Sequence, residues 1–261
     1  MKAGVAPRLI AITHAPSPTL EQGERTHIHR AAIDFAGACR QHGAFCEMLH
    51  NCGANVRVLN VNPDLPDSVF VEDTAIVLDE VAIMASMGRE SRRTEVTNME
   101  LELRKYRAVE RISLPSTVEG GDVLRIGRKM LVGISSRTNR AAVDALDELV
   151  RRYGYQVIPV PVRDCLHLKT ACTALPDESL LVNPAWLNLD ALRGFNVVPI
   201  PESEPWGANV ALVNGTVCLA AEHRQTAELI HQRGFEVRTT ELSEFAKAEG
   251  GVTCLSILIS A

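Results

Sequence analysis

Five short polar motifs recur at nearly even intervals along this chain of 261 residues. They are Glu72-Asp73, Glu119-Gly120-Gly121-Asp122, His167-Leu168-Lys169, Gly207-Ala208-Asn209 and Gly250-Gly251-Val252-Thr253-Cys254. From Asp73 to Asp122, His167, Asn209 and Cys254 the steps are 49, 45, 42 and 45 residues. A period of this length is typical of repeat architectures, in which each repeat is one supersecondary unit. The spacing therefore predicts five units built to one plan.

The segments between the motifs repeat as well. Each motif is followed by two short apolar runs that meet at a polar turn, then by a helical stretch and another apolar run. The turn pairs are Asp79-Glu80, Gly127-Arg128, Asp177-Glu178 and Asn214-Gly215. Asn-Gly and Gly-x pairs between alternating apolar residues indicate β-hairpins. The later strands are predicted to begin near Val56, Ile112, Val157, Val197 and Val237. An amphipathic helix is expected before most of them, most clearly from Asn139 to Tyr153.

The two ends of the chain complement each other. The run from Leu9 to Thr13 has no motif before it, and the run from Thr253 to Ser260 has no helix after it, so each is half of one unit. Pairing them closes the units into a ring and removes exposed sheet edges. We therefore predict a five-bladed, pseudo-symmetric α/β ring, with the five motifs at one end of its central axis.

The composition is that of a compact globular protein, with 46% apolar residues, 23% charged residues and a net charge of −5. Because the repeat runs without a Pro-, Ser- or Gly-rich linker, we expect one domain over residues 1–261.

No run of ~20 apolar residues suggests a membrane span, and the first residues lack the apolar stretch of a secretory signal. We expect a cytoplasmic protein. The chain has no basic stripe, which argues against a nucleic-acid partner.

The seven cysteines are an odd number, which fits a reducing compartment better than a disulfide framework. Cys46, His50 and Cys52 lie close together and raise the question of a zinc site. No CxxC pair occurs, and a helical segment ending at Gly53 explains the group equally well. We therefore predict no metal and no cofactor.

Cys254 stands apart because it follows a Gly-Gly pair within a motif that the ring brings next to the others. It could be a buried thiol at the start of a core strand. The same ring, however, places His167, Glu119 and Asp73 at matching positions in other units. A thiol needs a base to become a thiolate, and an imidazole needs a carboxylate to fix its tautomer and charge. The group indicates nucleophilic catalysis.

Two members of this group have plainer interpretations. Glu119 could merely cap the Gly120-Gly121 turn. Glu72-Asp73 could be a solvated turn, although the apolar residues on both sides of it make that less natural.

Six stretches of the chain carry a family resemblance, in order and at their spacing. They are LPDSVFVEDTA (65–75), SRR (91–93), VEGGDVL (118–124), LHLKTACT (166–173), ANV (208–210) and GVTCLS (251–256). With these the chain resembles the dimethylarginine dimethylaminohydrolases of the pentein, or guanidino-group-modifying, superfamily. The resemblance implies the pentein fold, a five-bladed α/β-propeller of ββαβ repeats, which agrees with the ring predicted from the repeat.

The resemblance also implies a reaction. The expected enzyme is a dimethylargininase-type hydrolase that converts asymmetric dimethylarginine or monomethylarginine to citrulline and dimethylamine or methylamine. Asp73, helped by Glu72, would bind the guanidinium nitrogens. Cys254 would attack the central carbon as a thiolate. His167 would protonate the departing amine and then activate water to hydrolyse a covalent thiouronium, with Glu119 orienting and charge-stabilising the imidazole.

For the amino-acid end of the substrate the resemblance suggests three residues. Arg92 and Arg137 match the family's carboxylate-binding arginines, and Asp67 matches the carboxylate near the α-amine. Arg92 could instead belong to a solvated basic cluster with its arginine neighbours. Arg137 could merely begin the helix at Asn139.

Two segments depart from the family pattern. The run from Ala85 to Glu90 stands where a Thr-Arg-Pro-Gly-type run often precedes the Ser-Arg-Arg. The loop from Thr13 to Gly23, the expected lid over the substrate, shows little that matches. Both differences concern the choice of substrate and leave the reaction type unchanged.

Other functions remain as alternatives. An arginine deiminase or an amidinotransferase would use the same cysteine, histidine and carboxylates with a different leaving group or acceptor. A non-catalytic pentein ring that acts as a binding module is a more distant alternative, since it has no need for Cys254, His167 and Glu119 together. The expected partner is a small guanidino molecule, and a homodimer stays open beside a monomer.

Overall fold

The computed structural model describes residues 9–260 as short strands and helices in regular alternation. The strands in chain order are β1 (Leu9–His14), β2 (Asn55–Leu59), β3 (Ala75–Val77), β4 (Val81–Met84), β5 (Ala108–Arg111), β6 (Val123–Ile126), β7 (Lys129–Ile134), β8 (Gln156–Pro161), β9 (Cys172–Ala174), β10 (Leu180–Val182), β11 (Val197–Pro199), β12 (Ala211–Val213), β13 (Thr216–Ala220), β14 (Val237–Thr240) and β15 (Ile257–Ser260). The α-helices are α1 (Phe35–Asn51), α2 (Glu95–Leu103), α3 (Arg140–Val150), α4 (Leu168–Ala171), α5 (Arg224–Gln232) and α6 (Ser243–Ala246). Single 3-10 turns lie at Leu20–Gln22, Val71–Thr74, Glu90–Arg92, Gly120–Asp122, Arg151–Tyr153 and Leu189–Leu192. Within residues 9–260 no helix has both the length and the apolar character needed to cross a bilayer.

The strands form five separate three-stranded sheets, which are the five predicted units. In each sheet an antiparallel hairpin supplies two strands, and the second of these pairs in parallel with a third. Four sheets use consecutive strands, namely β3-β4-β5, β6-β7-β8, β9-β10-β11 and β12-β13-β14. We call these modules one to four, in chain order.

The fifth module joins the two ends of the chain. Strand β15 pairs antiparallel with β1, from Leu9 opposite Ser260 to Ile12 opposite Ile257. Strand β1 then pairs in parallel with β2, and α1 connects the two. The predicted closure of the ring by the N- and C-terminal strands is confirmed.

A central cavity of about 530 Å³ runs along the ring axis. The first strand of every hairpin contributes to its wall, with residues from β3, β6, β9, β12 and β15. Each polar motif lies just before one of these inner strands, so the five motifs gather around the same end of the axis.

Module two shows how sequence pattern becomes packing. Asn139 begins α3 by accepting a hydrogen bond from the Ala142 backbone N–H to its side-chain oxygen at 3.0 Å, which is a standard N-cap arrangement. The apolar face of α3 then buries Ala142, Val143, Leu146 and Val150 against the strands of modules one and two. The helix ends where expected, in the 3-10 turn that leads to Gly154.

Two predictions about elements were wrong in detail. Module three has no α-helix between β10 and β11, because Pro184 and the left-handed Gly194 confine that segment to the 3-10 turn Leu189–Leu192. Strand β5 ends before Ile112, where a strand was predicted to begin, because its parallel register with β4 starts at Ala108.

Candidate active site

His167 lies at the N-terminal end of α4, with its side chain buried beside Glu119 from module two. The His167 Nε2 and Glu119 Oε2 atoms are 2.8 Å apart. Burial alone would lower the pKa of His167, but the carboxylates of Asp73, Asp122 and Glu119 outweigh it and raise the pKa to about 9. Burial opposes the charge of Glu119, yet its bond to the imidazole holds its pKa down at about 2. The two form an ion pair at neutral pH.

Asp73 faces the other ring nitrogen of His167. Its Oδ1 atom lies 3.8 Å from His167 Nδ1 and accepts a hydrogen bond from the Gly121 backbone N–H at 3.2 Å. A β-carbon on Gly121 would sit 2.6 Å from His167 Nδ1 and 2.8 Å from Asp73 Oδ1. The glycine of the motif is therefore needed for the close approach of these two side chains.

Cys254 lies in the turn before β15 and is partly exposed. The Gly251 backbone N–H points at its Sγ atom at 3.4 Å. Burial raises the pKa of the Cys254 thiol to about 12, and the negative charges of Glu72 and Asp73 add to this shift. The residue is a protonated thiol at neutral pH.

A hydrogen-bonded network supports the loop that carries Cys254. The side-chain amide of Asn209 donates to the Lys169 carbonyl at 2.8 Å and to Thr253 Oγ1 at 3.0 Å, and its oxygen accepts from the Thr253 N–H. Thr253 Oγ1 donates in turn to Glu72 at 2.7 Å. Asn209, the polar residue of the fourth motif, thus holds the fifth motif in place.

The Glu72 carboxylate is already engaged by protein groups. Lys169 Nζ lies 2.6 Å from one of its oxygens, and the Thr253 hydroxyl donates to the other. Of the adjacent carboxylates, it is Asp73 that faces His167. The expected help of Glu72 in holding a guanidinium stays a prediction.

Arg92 is buried, with 4% of its surface exposed, which excludes the alternative that it belongs to a solvated basic cluster. Its Nη1 atom donates to Asp73 at 2.7 Å, and Nε and Nη2 donate to the two oxygens of Glu95 at 3.1 and 2.9 Å. Burial lowers the pKa of Arg92, but the charges of Glu95 and Asp73 more than compensate. Burial raises the pKa of Glu95 to about 7 against the pull of Arg92. Arg92 fixes Asp73 in this structure.

Arg137 is also buried and does more than begin a helix. Its Nη1 atom lies 3.6 Å from Glu119 Oε1, and Nη2 donates to the Thr26 hydroxyl at 3.0 Å. Its Nε–H is buried without a hydrogen-bond partner among residues 9–260. A buried unpaired donor costs free energy, which a bound anion would recover.

Asp67 lies beneath the segment between β1 and α1, residues 15–34, which we call the lid. Its Oδ2 atom accepts from the Glu24 backbone N–H at 3.0 Å, and Gly23 packs against the same carboxylate. Burial raises the pKa of Asp67, while the charge of Arg92 works in the opposite direction. The lid contacts to the predicted site come from Gly23 and the residues after it, so the lid is longer than the predicted Thr13 to Gly23.

Two positioning residues were missed by sequence reasoning. Asp122, fully buried, accepts the Leu168 N–H at 2.9 Å and the Ser135 hydroxyl at 2.6 Å, and so fixes the start of α4 next to His167. The sequence feature that could have identified Asp122 is its position as the fourth residue of the Glu-Gly-Gly-Asp motif. Gly88 donates its N–H to Glu119 at 3.1 Å. It lies in the run that departs from the family pattern, so no motif pointed to it.

The ligand atoms of Asp73, Glu119 and His167 all lie within 4.8 Å of one another, a donor set that could accept a divalent cation. A histidine ligand must be neutral, whereas His167 is held as the imidazolium by Glu119. The absence of a metal cofactor stays a prediction. The sequence neighbours Cys46, His50 and Cys52 do not converge, since Cys46 contacts His42 and Cys52 contacts Cys218.

Comparison with known proteins shows the family of this chain. A family model described as N,N dimethylarginine dimethylhydrolase, eukaryotic, matches residues 22–183, more than half of the chain. An N(G),N(G)-dimethylarginine dimethylaminohydrolase from Streptomyces coelicolor is 38% identical over 249 residues, which cover 95% of this chain and 95% of that protein.

Two solved structures are similar over almost the entire chain. A histidine-to-glycine variant of dimethylarginine dimethylaminohydrolase, as an adduct with S-methyl-L-thiocitrulline, has a TM-score of 0.92 at 32% identity and covers 97% of this chain and 100% of that one. A cysteine-to-serine variant of the Pseudomonas aeruginosa enzyme, complexed with citrulline, has a TM-score of 0.90 at 32% identity. The match covers 98% of this chain and 100% of that one. This chain belongs to the dimethylarginine dimethylaminohydrolase family.

Proposed function

We propose that this chain hydrolyses Nω-methylated arginine to citrulline and dimethylamine or methylamine, through a covalent thiouronium on Cys254. The observation that carries the proposal is the buried His167, held by Glu119 at 2.8 Å on one side and facing Asp73 at 3.8 Å on the other. A carboxylate-rich pocket of this kind suits a cationic substrate, and a histidine suits two successive proton transfers.

Charged residues bind both the guanidinium end and the amino-acid end of the substrate. Asp73, kept in place by Arg92 and Gly121, accepts hydrogen bonds from the guanidinium. The free Nε–H of Arg137 can donate to the α-carboxylate of the substrate. The Asp67 carboxylate can accept from the substrate α-amine. The lid contacts both of these residues, so substrate binding and lid position are coupled.

The substrate cation brings a positive charge next to the Cys254 thiol, where the free site has two carboxylates. Cys254 is a thiol next to two carboxylates, and a guanidinium bound between them favours loss of its proton to solvent. The thiolate attacks the central carbon, and the electron pair of one C–N double bond moves onto nitrogen. His167, protonated at neutral pH, donates its Nδ1 proton to the methylated nitrogen. The C–N bond then breaks, the amine leaves and the carbon remains bonded to sulfur.

Hydrolysis reverses the role of the imidazole. Neutral His167 takes a proton from water, and the hydroxide adds to the thiouronium carbon. The intermediate collapses with formation of the citrulline C=O and cleavage of the C–S bond, and the hydroxyl proton returns to sulfur. Glu119 is ionised while His167 carries its proton, because the bond to the imidazole holds the Glu119 pKa down at about 2.

The test is product release from asymmetric dimethylarginine, monomethylarginine and arginine, each offered to purified protein with Cys254→Ser as the blank. We expect citrulline with dimethylamine from the first and with methylamine from the second. Ammonia from arginine at a comparable rate would instead indicate a deiminase. No product from any of the three would contradict the proposal.

A further inference from the structure

A second cavity of about 250 Å³ lies beside the loop that carries Cys254, on the side of module four. Ile28 of the lid, Thr170 after His167, and the backbone from Gly250 to Val252 form part of its wall. None of the residues to which we assign catalysis or substrate binding lines it. The cavity shares the nucleophile loop with the active site but has its own lining.

The walls of this cavity are mostly apolar. Its apolar lining residues include Trp206, Leu242 and Val252. The Trp206 ring is 49% exposed, and it is steadied by an edge-to-face contact with Trp186 at 5.6 Å between ring centroids. A half-exposed indole at a cavity mouth offers a flat surface for an aromatic or aliphatic group. The volume of about 250 Å³ lies slightly below the ~300–1,000 Å³ typical of ligand sites and suits a small molecule.

The charges around the cavity have one sign. Glu222 and Glu249 line it, and no lysine or arginine does. The third titratable residue, His223, has its pKa lowered by burial and is neutral at neutral pH, so it adds no opposing charge. Both Glu249 oxygens accept backbone N–H groups of the lid. Within residues 9–260, the Glu222 side chain makes neither a hydrogen bond nor an ion pair.

We propose that this cavity is a second ligand site, which binds a small organic amine with an aromatic body. The ammonium group pairs with Glu222, and the apolar body packs on Trp206 and Val252. An anion is disfavoured by the two carboxylates, and a neutral molecule of the same shape gains only the apolar contact.

A ligand in this position touches both the lid and the loop that carries Cys254. Ile28 belongs to the lid, whose neighbouring residues Thr26 and His27 are bonded to Glu249. Gly251 belongs to the loop whose N–H points at the Cys254 sulfur. Occupancy of the cavity therefore stabilises the arrangement of lid and loop seen here.

The experiment compares benzylamine, benzyl alcohol and benzoate near neutral pH, as a cation, a neutral molecule and an anion of one shape. Binding is measured by calorimetry and by tryptophan fluorescence on the Cys254→Ser variant with excess citrulline present. We expect benzylamine to bind at least about tenfold more tightly than benzyl alcohol and benzoate not to bind. Because no turnover is measured, this result is independent of the proposed function.

Two variants locate the site. Glu222→Gln should weaken benzylamine binding about fivefold and leave benzyl alcohol unchanged, and Trp206→Ala should weaken both. Glu202→Gln, an exposed carboxylate outside the cavity lining, is the matched control. Equal affinities for the three probes, equal effects of the two glutamate variants, or loss of binding when citrulline is added would each overturn the proposal.

Discussion

The protonation state of the site is set by three carboxylates around His167. Asp73, Glu119 and Asp122 together raise the pKa of the imidazole, although burial works against a charge there. Burial also raises the pKa of the Cys254 thiol, and the charges of Glu72 and Asp73 add to this shift, so the thiol stays protonated. We therefore expect the free site to hold a neutral thiol and an imidazolium, and to become reactive when the substrate cation binds.

The first prediction concerns the reactivity of Cys254 in the free protein. Because its pKa is raised to about 12, its alkylation by iodoacetamide should accelerate about tenfold per pH unit from about pH 7 to about pH 10, without levelling off. The rate is followed by mass spectrometry of the peptide that contains Cys254. A plateau that begins below about pH 8 would show a preformed thiolate–imidazolium pair and contradict this account.

Gly121→Ala tests the close approach between His167 and Asp73. The added β-carbon would lie 2.6 Å from His167 Nδ1, so the imidazole must move. We expect citrulline formation to fall at least about a hundredfold, with the far-UV circular dichroism retained. Gly43→Ala is the matched control, since a β-carbon there meets open space. Equal activity of the two variants would show that the contact is unimportant.

At the scale of single residues, the sequence predicts the proposed reacting groups better than it predicts the residues that hydrogen-bond to them. Cys254, His167 and Glu119 follow from the repeat, because equivalent positions in a ring converge. The Glu95 partner of Arg92 and the Gly88 contact to Glu119 do not follow, since both depend on how the chain turns after β4. The partner of the Glu72 carboxylate was unpredictable for the same reason, because Lys169 reaches it from another module.

The lid is hydrogen-bonded to the segment that precedes the loop of Cys254. Glu249, just before the nucleophile loop, accepts the backbone N–H groups of Thr26 and His27. Arg25 adds a hydrogen bond to the Lys247 carbonyl at 2.8 Å. The lid is therefore bonded to the segment that leads directly into the loop of Cys254.

Glu249→Gln should loosen this attachment, because it replaces one acceptor oxygen by an N–H donor that faces a backbone N–H. We expect the Thr26 and His27 amides to exchange with deuterium about tenfold faster, and kcat/KM for dimethylarginine to fall. Glu241→Gln, exposed on the same segment, serves as the control. Unchanged exchange in the Glu249 variant would mean that these hydrogen bonds do not hold the lid.

Elements with local signals were predicted well, and those that depend on distant contacts were not. The Asn214-Gly215 turn adopts φ of 48° and 87°, and this left-handed pair is the conformation that its sequence favours. Helix α3 begins directly after Asn139, close to the start that its amphipathic pattern predicted. The missing helix of module three and the path of the lid depend on tertiary packing, which no short stretch of sequence encodes.

At the level of the whole molecule, ring closure couples the ends of the chain to every module. Strands β1 and β15 share one sheet, and the core cluster around Phe45 includes side chains of modules four and five. We propose that residues 1–261 form one domain that unfolds as a unit. A homodimer stays a prediction.

The coupling between the chain ends and the other modules can be tested with a substitution in module five, because the two tryptophans lie in modules three and four. Ile12→Ala in β1 removes a fully buried side chain and should cost about 2–5 kcal/mol of unfolding free energy. The urea midpoints from Trp186 and Trp206 fluorescence, which report on modules three and four, should fall together with those from circular dichroism. Val58→Ala, at an exposed site in β2, is the control. Two separate transitions, or an unshifted fluorescence midpoint, would argue against a single cooperative ring.

The central claim is that Cys254 displaces the methylated nitrogen of the substrate. Its most direct test is the mass of the acid-quenched protein during turnover, with the adduct located by peptide mapping. We predict that asymmetric dimethylarginine and monomethylarginine leave the same adduct on Cys254, whose mass is that of the substrate less its methylated amine. An adduct that keeps the methyl groups, or one that forms on a residue other than Cys254, would contradict the account.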